Sequence, residues 1–147
     1  MNSKIITITG PVRGKGRPRT TVRNNKIIVF KDKKTASYEK LIKQSWLAKY
    51  GRNPTEKPVK ITIAAFMKIP KGKSKRFRKK AENQEIVPTK KPDLSNILKI
   101  AEDALNGVAY LDDKQIYTAS IIKLYDDGEG ERLVIIIEER GEKDERK

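Results

Sequence analysis

From Asp93 onward, Leu94, Ile97, Leu98, Ala101, Ala104, Leu105 and Val108 fall within one arc when the chain advances by about 100° per residue, the pattern of an amphipathic helix. Asn106-Gly107 supplies its stop. A helix apolar along one stripe must bury that stripe against another layer. The β-branched run VKITIAAFMKI between Pro58 and Pro70 offers a central strand, and IITIT at Ile5–Thr9, closed by Gly10-Pro11, an opening one. KIIVF at Lys26–Phe30 is a short second strand. Gln115–Leu124 and Arg132–Glu138 add two more, joined by the acidic turn DDGEGE. Tyr38, Leu41, Ile42, Trp46 and Tyr50, at three- and four-residue spacings, predict another helix, capped by Thr35 or Ser37 and ended by Gly51. The expectation is one α/β (α+β) domain over residues 1–140, a mixed β-sheet backed by helices at 36–50 and 93–106, with 141–147 a disordered charged tail.

Charge divides this chain of 147 residues: residues 1–92 hold 26 basic and 5 acidic side chains, residues 93–147 hold 8 and 14. The net charge of +15 points to a polyanionic partner. With no Cys and no His, disulfides, zinc clusters, thiol nucleophiles and imidazole bases are excluded, so any catalysis rests on carboxylates, Lys, Tyr, Ser or a metal ion. No apolar run reaches the ~18 residues of a membrane span, and the expected location is the cytoplasm.

In KKPDLSNILKIAEDALNGVAYLDDKQI, residues 90–116, a basic chain collects five carboxylates: Asp93, Glu102, Asp103, Asp112 and Asp113. Taken singly, Asp93 is a helix N-cap and Asp112-Asp113 a polar turn. Taken together, a helix entered at Asp93 and a return through Asp112-Asp113 bring carboxylates towards each other, and oxygen ligands without His or Cys suit Mg²⁺ or Mn²⁺. Asn96, Lys99 and Asp103 share a flank outside the apolar arc. They form either a solvated face with a Lys99–Asp103 pair, or a set in which Lys99 meets charge developing on phosphorus.

GPVRGKG is not a nucleotide-triphosphate loop, because Gly10 and Gly14 are one residue too close and Gly16 stands where Ser or Thr should be; no nucleotide cofactor is expected. Arg13, Lys15, Arg17 and Arg19 instead suit a clamp on DNA phosphates. A short helix with frayed ends near Lys73–Lys80 offers a second clamp, through Lys75, Arg76 and Arg78, with Phe77 available to stack or wedge, or else a merely solvated charge run.

KPDLSNILKIAEDALNGVAYLDDKQI closely resembles the signature of the RusA family of Holliday junction resolvases, approximately K-P-D-x-D-N-x-x-K…D-A-L-N-G…D-D-x-Q, and GPVRGKGRPRT looks like that family's early basic segment. The resemblance implies a homodimeric, Mg²⁺-dependent endonuclease, with Mn²⁺ able to substitute, that makes paired nicks in four-way junction DNA. By position it makes Asp93 and Asp113 metal-binding catalytic carboxylates, Asp112 an adjacent ligand, Lys99 the catalytic lysine, and Asn96 and Asp103 supporting groups. Ser95 departs from the pattern, since it stands where the family commonly has a second Asp; it leaves either a neutral hydroxyl to hold a metal-bound water, with Asp112 or Asp103 supplying the missing charge, or a site that binds only one ion. The alternative is a binding-only protein of the same fold, inactivated at Ser95. A basic RNA-binding module fits less well, because KIIVF lacks the aromatic stacking pattern of an RNA-recognition sheet.

Overall fold

In strand β4 (Val59–Met67) Val59, Ile61, Ile63 and Ala65 are fully buried while the residues between them are half-buried, the alternation of a sheet with one face on a core. The computed structural model describes residues 2–141, so most of the expected tail lies outside the described residues. β4 is a central strand. It pairs in parallel with β5 (Ile116–Tyr125) and antiparallel with β6 (Arg132–Glu139), and β6 pairs antiparallel with β1 (Ser3–Thr9), giving the mixed order β1-β6-β4-β5. The acidic turn therefore joins strands that are not neighbours, because β4 lies between them.

One face of this sheet carries helices α1 (Lys33–Tyr50) and α3 (Leu94–Leu105), which also touch each other. Tyr38, Ile42 and Trp46 of α1 and Ile97, Ile100, Ala101, Ala104 and Leu105 of α3 close over Ile6, Ile8, Ile61, Ile63, Leu133, Ile135 and Ile137. The two expected backing helices are present. Leu94 and Leu98 stand at the edge of the predicted arc, and Leu94 is exposed because the helix begins beyond the sheet's cover. A short helix α2 (Lys75–Glu82), capped by Ser74, leads a smaller apolar cluster of Ile69, Ala81 and Tyr125 with Phe77 and Ile86.

Two local readings change. The cap of α1 is Asp32, whose carboxylate accepts the N–H of Thr35; Thr35 is buried, its Oγ1 accepting the Gly16 N–H at 2.8 Å. The basic loop is also shorter than it reads, because Arg19 opens a strand, β2 (Arg19–Arg23), that pairs with β3 (Lys26–Phe30) through an Asn24-Asn25 turn. Both asparagines have positive φ, as a tight two-residue hairpin requires.

Loop 10–18 is stitched to both helices: Gly16 to Thr35 of α1, and the Lys15 N–H to the Asn96 carbonyl of α3 at 2.9 Å. A Cβ on Gly14 would stand 2.8 Å from the Pro92 Cβ and 2.9 Å from the Asn96 Cβ, so the loop lies flush on α3 only because that residue has no side chain. Gly14→Ala is expected to cost about 1–3 kcal/mol in urea denaturation, as overpacking does, and to raise hydrogen exchange at the Lys15 and Gly16 amides.

Candidate active site

Asp93 stands at the N-cap of α3, and its main-chain carbonyl receives the N–H groups of Asn96 and Ile97 at 3.1 Å. Its carboxylate makes no capping bond. An N-cap aspartate ordinarily satisfies a free helix amide, so this exposed carboxylate is left available. It borders a cavity of about 480 Å³ between the start of α3 and the basic loop, lined by Gly14, Lys15, Gly16, Arg17, Lys91, Pro92 and Asn96 as well. Ser95, Asn96 and Lys99 are exposed on the same helix.

Further along α3, Asp103 receives two cations: Lys99 Nζ at 3.4 Å and Lys15 Nζ at 2.8 Å. Lys15 also bonds Glu39 of α1, whose other oxygen takes Lys31 Nζ at 2.6 Å. Burial pulls the Lys15 pKa down, but Asp103 and Glu39 more than offset this and leave it raised. Lys15 therefore points onto two carboxylates, which engage the charge that its sequence context offers to phosphate. Buried Glu39 needed a cation, and no spacing rule connects residues 24 apart.

The return from α3 is anchored by Tyr110, fully buried, whose hydroxyl donates to the Glu102 carbonyl at 2.6 Å. Asp112 then opens a short 3₁₀ turn, Asp113–Gln115. Its carboxylate accepts the Lys114 N–H at 3.1 Å, while Gln115 Oε1 accepts the Asp112 N–H at 2.8 Å, a reciprocal capping box. Gln115 Nε2 donates to the carbonyls of Thr55 and Lys57 at 2.8 and 3.0 Å, tying the aspartate turn to the segment before β4. The turn reading of Asp112 holds, and the glutamine after the aspartate pair is the part that places it.

The Asp113 carboxyl is pushed above the usual range, first by its hydrogen-bonded neighbour Asp112, then by partial desolvation and by Asp103, with Lys99 opposing. Asp112 is held low, first by the Lys114 N–H and then by Asp113. Glu102, not singled out by motif, is raised by burial and then by Asp113. The fold thus brings Lys99, Glu102, Asp103, Asp112 and Asp113 into one electrostatic neighbourhood. Along α3, Glu102 stands nine positions after Asp93, about 14 Å of helix rise. Among the described residues no three Asp or Glu side chains converge closely enough to hold an ion together. The donor set nevertheless suits a hard cation, since a carboxylate whose proton affinity is raised by an adjacent carboxylate is relieved by positive charge between the two.

Of the expected DNA contacts, Arg13 and Arg17 are exposed, and Arg19 bonds Asp32 at 2.9 Å while keeping most of its side chain in solvent. Lys75 and Arg76 are exposed on α2, whereas Arg78 turns back towards the Pro70 carbonyl. Phe77 is committed inward, its ring 5.9 Å from Tyr125 in an edge contact, so it is not presented for stacking. Lys33 and Lys34 occupy the first turn of α1 and line a cavity of about 320 Å³ with Arg13. Cations in a first turn oppose the helix dipole, so this placement is a cost to the helix.

The family model described as Endodeoxyribonuclease RusA matches residues 9–138. An uncharacterized protein of Bacillus subtilis (strain 168), YqaN, is 31% identical over 138 residues, covering 91% of this chain and 94% of its own length. Among the described residues no helix is long and apolar enough to cross a membrane.

Two outcomes follow from the turn. Because Asp113 binds its proton more tightly folded than unfolded, its contribution to stability is full below the unfolded carboxylate pKa and is lost as pH rises through the raised folded value. Asp113→Asn is therefore expected to melt above the wild type at neutral pH in EDTA, with the gap closing on acidification. Gln115→Ala, which strands the Asp112 N–H, is expected to cost about 1–3 kcal/mol in chemical denaturation.

Proposed function

The chain belongs to the RusA family of endodeoxyribonucleases, the Holliday junction resolvases, and we propose that it hydrolyses phosphodiesters at four-way DNA junctions with Mg²⁺, acting as a homodimer that makes paired nicks. The observation that carries this reading is the Asp93 carboxylate, which sits at a helix N-cap, bonds no backbone amide, and faces a cavity walled by a basic loop.

Asp112 and Asp113 would hold the ion, with Asp93 as the third ligand the family pattern supplies. When bound, Mg²⁺ polarises the phosphoryl oxygen and favours deprotonated water as the attacking group. Asp103 holds Lys99 on the exposed flank of α3, within Coulomb range of Asp113. There its ammonium opposes the negative charge that grows on phosphorus as water adds and the P–O bond breaks. Asn96, one turn before Lys99, orients a phosphate oxygen or water. Arg13, Arg17, Lys33 and Lys34 neutralise flanking phosphates and fix the strand's register. Acid and base divide the work: cations bring the backbone in, and carboxylates concentrate the ion that activates it.

The binding-only alternative draws on Ser95, an exposed neutral residue at a position where a carboxylate is the family pattern, and on Asp103, already occupied by Lys15 and Lys99. Nicking of a four-way junction by the metal-saturated wild type separates the two readings, and the active enzyme is expected to nick it in Mg²⁺ and in Mn²⁺. In that case Ser95→Ala costs little, and Ser95→Asp shifts metal affinity. Rescue of an inert wild type by Ser95→Asp would establish the alternative.

Asp93→Asn or Asp113→Asn is expected to lower nicking by at least about 100-fold with junction affinity within about threefold. Lys99→Ala should lower kcat far more than affinity. Equal losses in both would make Lys99 a phosphate-positioning residue.

A further inference from the structure

Val22, Ile27, Ile28, Val29 and Phe30 of the β2–β3 ribbon are all exposed large hydrophobic residues. Val22 is 69%, Ile27 75% and Val29 64% exposed, against a core whose members are almost all fully covered. Register sorts its side chains. Val22 pairs with Ile27 and Thr20 with Val29, so these four share one face; Arg23 pairs with Lys26, Thr21 with Ile28 and Arg19 with Phe30 on the other. The second face is the more shaded, with Ile28 at 40% and Phe30 at 43%. The outward face is therefore β-branched and uncharged, and the cations nearest the tip, Arg23 and Lys26, project from the opposite face one pair along.

A two-stranded ribbon is at best marginally stable alone, and five exposed aliphatic and aromatic side chains on one ribbon call for an occupant. Its surroundings identify which. Between Arg17 and Lys34 stand Arg17, Arg19, Arg23, Lys26, Lys31, Lys33 and Lys34 against a single acid, Asp32. That charge complements a polyanion and opposes a second copy of the same basic chain. A two-stranded ribbon matches the width of the DNA major groove, and aliphatic side chains flanked by cations are what proteins insert between base steps when they kink a duplex. At a four-way junction the bases next to the exchange point are the ones whose stacking is most easily lost. The Asn24-Asn25 turn holds the tip in one shape, about 17 Å of strand away from the loop that lines the Asp93 cavity.

We propose that the β2–β3 ribbon enters the centre of the junction, with Val22 and Ile27 against exposed base faces and Arg23 and Lys26 on the adjoining phosphates. This rests on the resolvase reading for its substrate, and it makes the ribbon the element that distinguishes a junction from plain duplex.

The test is the double variant Val22→Ser/Ile27→Ser of the full chain. Four-way junctions carrying 2-aminopurine beside the exchange point, and linear duplexes of the same sequence, are bound in EDTA. For the wild type 2-aminopurine fluorescence is expected to rise on binding. For the variant the rise is lost, and preference for junction over duplex falls by about tenfold, with duplex affinity, thermal melting and sedimentation unchanged. Retained fluorescence change and retained preference in a folded variant would overturn the proposal. A shift to a smaller species in sedimentation with junction preference intact would also overturn it, by making a second copy the occupant. Nicking in Mg²⁺ is measured separately: a wild type that never nicks but still gives the ribbon-dependent signal would defeat the resolvase reading and leave the ribbon's role standing.

Discussion

Lys15 is the point on which the arrangement of the site depends. Its ammonium lies between Glu39 of α1 and Asp103 of α3, two carboxylates that would otherwise face each other across the seam where the helices meet. A buried carboxylate without a cation is costly, and breaking such a pair from one side costs more than never having built it. By satisfying both, Lys15 holds loop 10–18 against the helices, and that loop forms one wall of the Asp93 cavity and the root of the ribbon. Glycines on either side let the backbone come close enough for this to happen: Gly14 against α3, Gly16 against Thr35. A basic residue that reads as a DNA contact thus pins the loop, while Arg13 and Arg17 on the same loop are exposed.

The carboxylates follow a comparable division. Asp112 and Gln115 are occupied in shaping a turn, and the turn's geometry leaves Asp113 with a proton affinity raised by its neighbours. Asp103 is occupied in holding two lysines. Asp93 alone is placed by backbone hydrogen bonds while its side chain stays uncommitted. Residues with satisfied side chains position those without, and the unsatisfied ones are where chemistry is available.

Much of this was legible in the sequence because it is local. The α3 stripe, its stop at Asn106-Gly107, the alternation in β4 and the gathering of acid after residue 92 all depend on near neighbours along the chain, and each appears at or close to its expected bounds. What was hidden depends on distance. That Lys15 faces Glu39, that Gln115 reaches Thr55, and that Phe77 packs on Tyr125 are contacts between residues 24, 60 and 48 apart, which no periodicity encodes. β2 was missed for a different reason: RTTVR lies inside a run whose charge dominates its pattern, and only its pairing with KIIVF makes it a strand.

The strand order carries a consequence for how the chain is made. β6 lies between β1 and β4, so of the four strands of this sheet the one made latest joins the one made first to the rest. Until about residue 139 has emerged, β1 has no partner in this sheet, and the edges of β1 and β4 that β6 later covers keep their backbone N–H and C=O groups unpaired. Folding of this sheet is therefore a closing event dominated by contacts far apart in sequence, which is slow and exposed to misassociation. A chain that stops short of β6 would be left with two unpaired edges rather than a smaller version of the same domain.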